Sequence, residues 1–310
     1  MQKTFIIFAV IILSSSAAAQ LKMREYQTIS DNSANAARAE TNSSSEASFL
    51  ELNSLGVKKA LVEKNYSEAI ELFSKAVAAA PDCYQCKFNL GRSLLAVEKY
   101  DEAIKIFNEL MTLKPNSPEL NGSLGEAYNQ KELYEESLGF FRQSIKLNPN
   151  DAITLSNYAI SLSRLEKFEE ALENLEKAIK LNPDFAEAYG NKGYALFRFG
   201  RQKDALEALK KAEKLDPNLA QVHNNLGVVY DYFGKKKEAR THYLEAVRLK
   251  PDYAEGICNL AISYLQSGER EAAYEQLKKL EKLNSGLAEL LRNTIWSKYV
   301  VDASKVKPED

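Results

Sequence analysis

The sequence predicts an all-α solenoid of about seven helix-turn-helix repeats closed by a C-terminal capping helix, and three observations carry that prediction. Pro81, Pro115, Pro149, Pro183, Pro217 and Pro251 recur at a fixed interval of 34 residues, the mark of a repeat array. Within one period, Ala220 to Pro251, two short helical patterns are joined by a turn at Gly234. His223, Leu226, Gly227 and Tyr230 share one face of the first helix, and Ala239, Tyr243 and Ala246 share one face of the second. Small residues at Gly227 and Ala239 let the helices approach closely, and the larger side chains fill the space around the contact. A solenoid grows by stacking, so 310 residues need not divide into two or three globular domains.

Taken in order, the chain opens with Lys3, an apolar run from Phe5 to Leu13, and Ala17-Ala18-Ala19. That order predicts a cleavable signal peptide over residues 1–19. The apolar run is about half of the ~20 residues needed to span a bilayer, and no later stretch is long enough, so no stable membrane span is expected. Residues 20–48 are rich in Ser, Asn and Ala and read as a disordered tether, with Ser43 and Glu46 placed to cap the helix that follows. Removal of the leader takes Lys3 and leaves 40 basic residues against 43 acidic. This near-neutral balance argues against nucleic acid as a partner, since phosphate binding needs a basic surface.

Seven repeats are expected over residues 49–287. The first carries Ala69, Phe73, Ala76 and Pro81, with Gly56-Val57 where later repeats have a Leu-Gly pair. The second has Leu90, Gly91, Ala103 and Phe107; the third has Leu124, Gly125, Tyr128 and Phe141, with Ser137 in place of alanine. The fourth keeps Ala171 and Ala178 but reads Tyr158-Ala159 for Leu-Gly. The fifth has Tyr189, Gly193, Ala205 and Ala212, the sixth is the Ala220 unit, and the seventh has Tyr264, Gly268 and Ala273. Residues 288–310 supply a capping helix over the last core face and a charged tail.

At these residues the chain resembles the tetratricopeptide repeat family, whose pattern is an aromatic, Leu-Gly, Tyr, Ala, Phe, Ala and Pro at set offsets. The resemblance runs from Leu50 to about Ser285. It implies a right-handed superhelix whose concave wall is lined by the first helix of each pair. It also implies a non-enzymatic protein-interaction scaffold, without cofactor, that takes a protein or peptide partner.

The wall can be placed in the sequence. Offset six of the first helix lies opposite the core face and reads Asn89, Ser123, Asn157, Asn191, Asn225 and Asn259 in repeats two to seven. An amide offers both a donor and an acceptor and can hold a peptide bond by its C=O and N–H. The row is similar to the asparagine ladders of the repeat region of O-linked N-acetylglucosamine transferase and of importin-type solenoids; no catalytic domain accompanies it here. Asparagine at this offset also has a second use, bonding to neighbouring helices. Offset nine reads Lys58, Arg92 and Glu126, then Ile160, Tyr194, Val228 and Ile262, so a charged half is expected to give way to an apolar half suited to binding. A two-carboxylate clamp of the chaperone-binding type is not expected, because Glu119 and Ser123 stand where Lys and Arg belong.

Cys83 and Cys86 form a C-x-x-C, and Cys258 stands alone. Haem attachment would need a histidine where Lys87 stands, and a zinc site would need a second ligand pair, whereas His223 and His242 lie far along the chain. A local disulfide is expected, and no metal site. The reading is therefore an exported scaffold, periplasmic or secreted, that binds an extended peptide or a helix along its groove. An assembly factor of an envelope or secretion complex acting through its convex face is the alternative, and a thiol-redox protein using Cys83 and Cys86 is a further one.

Overall fold

A computed structural model describes residues 44–284 and 286–294. The leader, most of the tether, Ser43 and the end of the chain lie outside the described residues. Every element described is a helix, as expected. The helices are α1 (Ser44–Leu61), α2 (Tyr66–Ala79), α3 (Tyr84–Ala96), α4 (Tyr100–Leu113), α5 (Pro118–Gln130), α6 (Tyr134–Leu147), α7 (Ala152–Arg164) and α8 (Phe168–Leu181). They continue as α9 (Ala186–Arg198), α10 (Gln202–Leu215), α11 (Ala220–Tyr232), α12 (Lys236–Leu249), α13 (Ala254–Gln266) and α14 (Arg270–Leu283), followed by helical residues 286–294. α1 already begins at Ser44, inside the stretch read as tether. These residues form two compact units, 44–183 and 184–294.

The 34-residue period has a local cause at each end of the second helix. Every second helix before a periodic proline ends on an extended residue, for example Lys250 at φ −135°, ψ 91°. Proline disfavours the helical conformation of its predecessor, so the helix stops there. The turn between the paired helices always contains one left-handed residue: Lys64, Glu98, Glu132, Glu166, Gly200, Gly234 and Gly268.

Close packing follows from the small residues. A Cβ added at Gly91 would lie 2.6 Å from the Phe107 ring, at Gly125 2.7 Å from Phe141, and at Gly227 2.4 Å from Tyr243. In the first repeat the same job falls to Gly56, where a Cβ would lie 2.7 Å from Phe73. The turn between α1 and α2 is one residue longer than that between α3 and α4, which moves the glycine one place earlier. Ala69, Ala103, Ala171, Ala205, Ala239 and Ala273 are all fully buried. Ser137, in the alanine place, keeps its buried hydroxyl satisfied by lying 2.7 Å from the Tyr134 carbonyl and 2.7 Å from Ser161 Oγ. At the C-terminal end, Ala288 and Leu291 pack on Ile257, Leu277 and Leu280, so the expected cap covers the last core face.

Candidate functional site

In the 44–183 unit, the first helices α3, α5 and α7 bring part of the predicted site together. Asn89 does not face open solvent. It is fully buried, its Nδ2 donates to Asn53 Oδ1 at 2.9 Å, and its Oδ1 accepts from Gln85 at 3.1 Å. The amide is engaged between neighbouring first helices. Arg92 likewise departs from the expectation of a charged wall. It is 1% exposed, and its Nη1 reaches Glu126 at 2.6 Å and Ser123 Oγ at 3.5 Å. The two opposite charges at offset nine thus neutralise each other across one repeat, which a reading of single positions could not show.

Beside this pair lies a cleft of about 290 Å³ lined by Arg92, Glu119, Ser123, Glu126, Asp151 and Asn157 among others. Two lining groups are held from within. Asp151 caps α7 by accepting from Ile153 N at 3.0 Å, and Glu119 accepts from Ser117 Oγ at 2.7 Å. Asn157, partly buried, makes no side-chain hydrogen bond among the described residues. Its amide is therefore the donor–acceptor pair that the cleft leaves available. Three carboxylates against one guanidinium give the lining an acidic balance. Ile160 follows on α7 and is partly buried.

In the 184–294 unit the predicted residues are mostly inside. Asn191, Tyr194, Asn225, Val228 and Asn259 are buried, and Ile262 is partly buried, packed on the Ile257 cluster. The expectation of an apolar half lying open at Tyr194 and Val228 is thus corrected, since each is 1% exposed. Tyr194 OH accepts from Arg198 at 3.1 Å, and Asn259 Nδ2 donates to Asn224 Oδ1 at 2.8 Å. Asn225 differs from them, because neither its Nδ2 nor its Oδ1 has a hydrogen-bond partner among the described residues. At the ends of α9 and α11, Phe197, Tyr232 and Phe233 make edge-to-face contacts, with centroids 5.9 and 5.4 Å apart. Tyr232 and Phe233 are exposed.

Cys83 and Cys86 are joined by a disulfide at the start of α3. Cys83 also caps the helix, its Sγ accepting from Cys86 N at 3.2 Å. Cys258 is a buried thiol whose pKa burial pushes up to about 11, with Glu255 adding to the effect; it lacks the electropositive surroundings of a reactive cysteine.

Five family profiles, each described as tetratricopeptide repeat, match residues 60–120, 118–151, 140–173, 159–220 and 220–253, an unbroken run. The chain belongs to the tetratricopeptide repeat family. Such arrays serve generally as non-catalytic protein-interaction scaffolds. Comparison with curated proteins gives no match. Among solved structures, a tetratricopeptide repeat protein from Parabacteroides merdae is similar at 16% identity and TM-score 0.65, over 81% of this chain and 99% of that one. The Pseudomonas aeruginosa pilF structure is similar at 17% identity and TM-score 0.53, over 68% and 97%. The Cut9–Hcn1 hetero-tetramer of the APC/C gives 20% identity and TM-score 0.63, over 77% of this chain but only 45% of that one. At these identities the likeness is one of fold.

Proposed function

We propose that this chain is an exported, non-enzymatic scaffold that holds an extended, basic peptide segment in the cleft formed by α5 and α7. The observation that carries the reading is the Asn157 amide, open on the cleft and without a partner among the described residues. A peptide bond offers the complementary acceptor and donor, and two such bonds fix an extended backbone without reading its side chains. Glu119 and Asp151, outside the Arg92–Glu126 pair, then favour Lys or Arg on either side. Export is supported by the Lys3, Phe5–Leu13, Ala17–Ala19 order and by the Cys83–Cys86 disulfide, which persists in oxidising compartments.

The test is fluorescence anisotropy with labelled, capped peptides of alternating Lys and Val against peptides of alternating Glu and Val. The Lys peptide is expected to bind and the Glu peptide not. Each net hydrogen bond contributes roughly 0.5–1.5 kcal/mol, so Asn157→Ala is expected to weaken binding by about tenfold. Glu119→Gln should reduce affinity less, with an effect that fades as salt is raised. Equal binding of both peptides, or an Asn157→Ala variant that binds like the parent, contradicts the assignment.

A further inference from the structure

Read along the chain, His223 and His242 stand 19 residues apart, and neither lies near Cys83 or Cys86 in sequence. The fold brings them together with a carboxylate. Glu213 sits in the last turn of α10, His223 in the first turn of α11 and His242 in the middle of α12. We propose that Glu213, His223 and His242 form a binding site for a divalent metal ion of the zinc class, tying together three successive helices of the 184–294 unit.

The three donor atoms already lie within reach of a single ion. His223 Nδ1 and His242 Nδ1 are 3.2 Å apart, and Glu213 Oε1 lies 3.7 Å from the first and 3.8 Å from the second. The point equidistant from these three atoms is about 2.1 Å from each, the bond length that Zn²⁺ makes to imidazole nitrogen and carboxylate oxygen. The tautomer of His223 is also set. Its Nε2 lies 2.9 Å from the Pro217 carbonyl oxygen, which only accepts, so Nε2 carries the proton and Nδ1 of the neutral ring presents a lone pair. A histidine whose far nitrogen donates to a backbone carbonyl is the usual outer support of a metal ligand. His242 is oriented by its ring neighbours, Tyr230 at 5.2 Å and 12° and His223 at 5.5 Å and 27°.

Exposure supplies a way in. The His223 and His242 side chains are 8% and 17% exposed, whereas Glu213 is 34% exposed, so the carboxylate marks the solvent side, where water can complete the coordination. Two imidazoles and one carboxylate select Zn²⁺, Ni²⁺ or Cu²⁺ over the hard cations Mg²⁺ and Ca²⁺. Because the three ligands converge only in the folded unit, the ion stabilises that unit by mass action.

The experiment uses the full chain without a polyhistidine tag, stripped with a chelator and titrated with Co²⁺, then with Zn²⁺. One equivalent of Co²⁺ is expected to give a visible absorption band that Zn²⁺ abolishes, and the melting temperature should climb with Zn²⁺ but not with Mg²⁺. Glu213→Gln and His242→Gln should each weaken binding by more than the roughly 10–100-fold that loss of an outer-shell partner brings. Glu213 is part-exposed, so its variant tests the ligand role even if His242→Gln folds poorly. Cys83→Ser with Cys86→Ser should leave binding unchanged. Absence of stoichiometric Zn²⁺ binding, or a Glu213→Gln variant that binds like the parent, overturns the assignment, as does loss of binding in the cysteine variant.

Discussion

The two units build the same repeat by different means. In the 44–183 unit the left-handed turn residues are Lys64, Glu98, Glu132 and Glu166, whereas in the 184–294 unit they are Gly200, Gly234 and Gly268. The residue two places later differs as well. It is Tyr66, Tyr100, Tyr134 or Phe168 in the first unit, and Gln202, Lys236 or Arg270 in the second. A left-handed conformation costs a residue with a Cβ roughly 1–2 kcal/mol. Tyr66 and Tyr100 offset it by packing on the core clusters beside them, and burial raises the Tyr100 pKa to about 12. Glycine removes the cost at source, and Lys236 and Arg270 are free to be exposed. First-helix starts divide along the same line. Cys83, Ser117 and Asp151 cap by side chain, while Phe185, Leu219 and Tyr253 occupy the cap place as buried apolar residues. The backbone is one solution, and the free energy holding it is distributed differently in each unit.

The largest expected effect asks whether the units respond separately. Phe107→Ala in the first unit should cost about 3–5 kcal/mol, and Leu226→Ala in the second about 2–5 kcal/mol, because both side chains are fully buried and the cavities collapse only in part. Hydrogen exchange should then speed up mainly in the unit that holds the substitution, as nearest-neighbour stacking requires. Uniform acceleration in both units would break the comparison. A smaller effect sharpens it. Glu98→Gly should stabilise and Gly234→Ala destabilise, each by about 1 kcal/mol, and Tyr100→Ala should cost about 1–2 kcal/mol while Lys236→Ala costs almost nothing. Denaturant midpoints of the four variants measure all of these. If Glu98→Gly fails to stabilise, the turn strain assigned to the first unit is not there.

Much of the fold was legible because its causes are periodic. Proline follows six of the seven second helices at a 34-residue interval, and glycine recurs in phase at Gly91, Gly125, Gly193 and Gly227 to admit the side chain that faces it. Gly56 was harder to place, since an extra residue in one turn shifts its register without moving the prolines. The row at offset six could be found from spacing, but spacing does not tell an amide engaged between helices, such as Asn89, from one left open, such as Asn157. That distinction depends on what each neighbouring repeat contributes, as does the burial of Arg92 by Glu126. Glu213, His223 and His242 were invisible as a group, because they occupy unrelated offsets of two repeats and converge only when three helices pack.

The central claim is that the partner lies on the first-helix face of the 44–183 unit and not on the face formed by the second helices. It is tested most directly by placing a photo-crosslinking side chain at Ile153, which lines the cleft, and in a second variant at Leu113, which is exposed on α4. Each variant is irradiated with the labelled Lys–Val peptide. Crosslinking at Ile153 that unlabelled peptide suppresses, with none at Leu113, is the predicted result. Crosslinking at Leu113 and not at Ile153 would place the partner on the second-helix face and contradict the account.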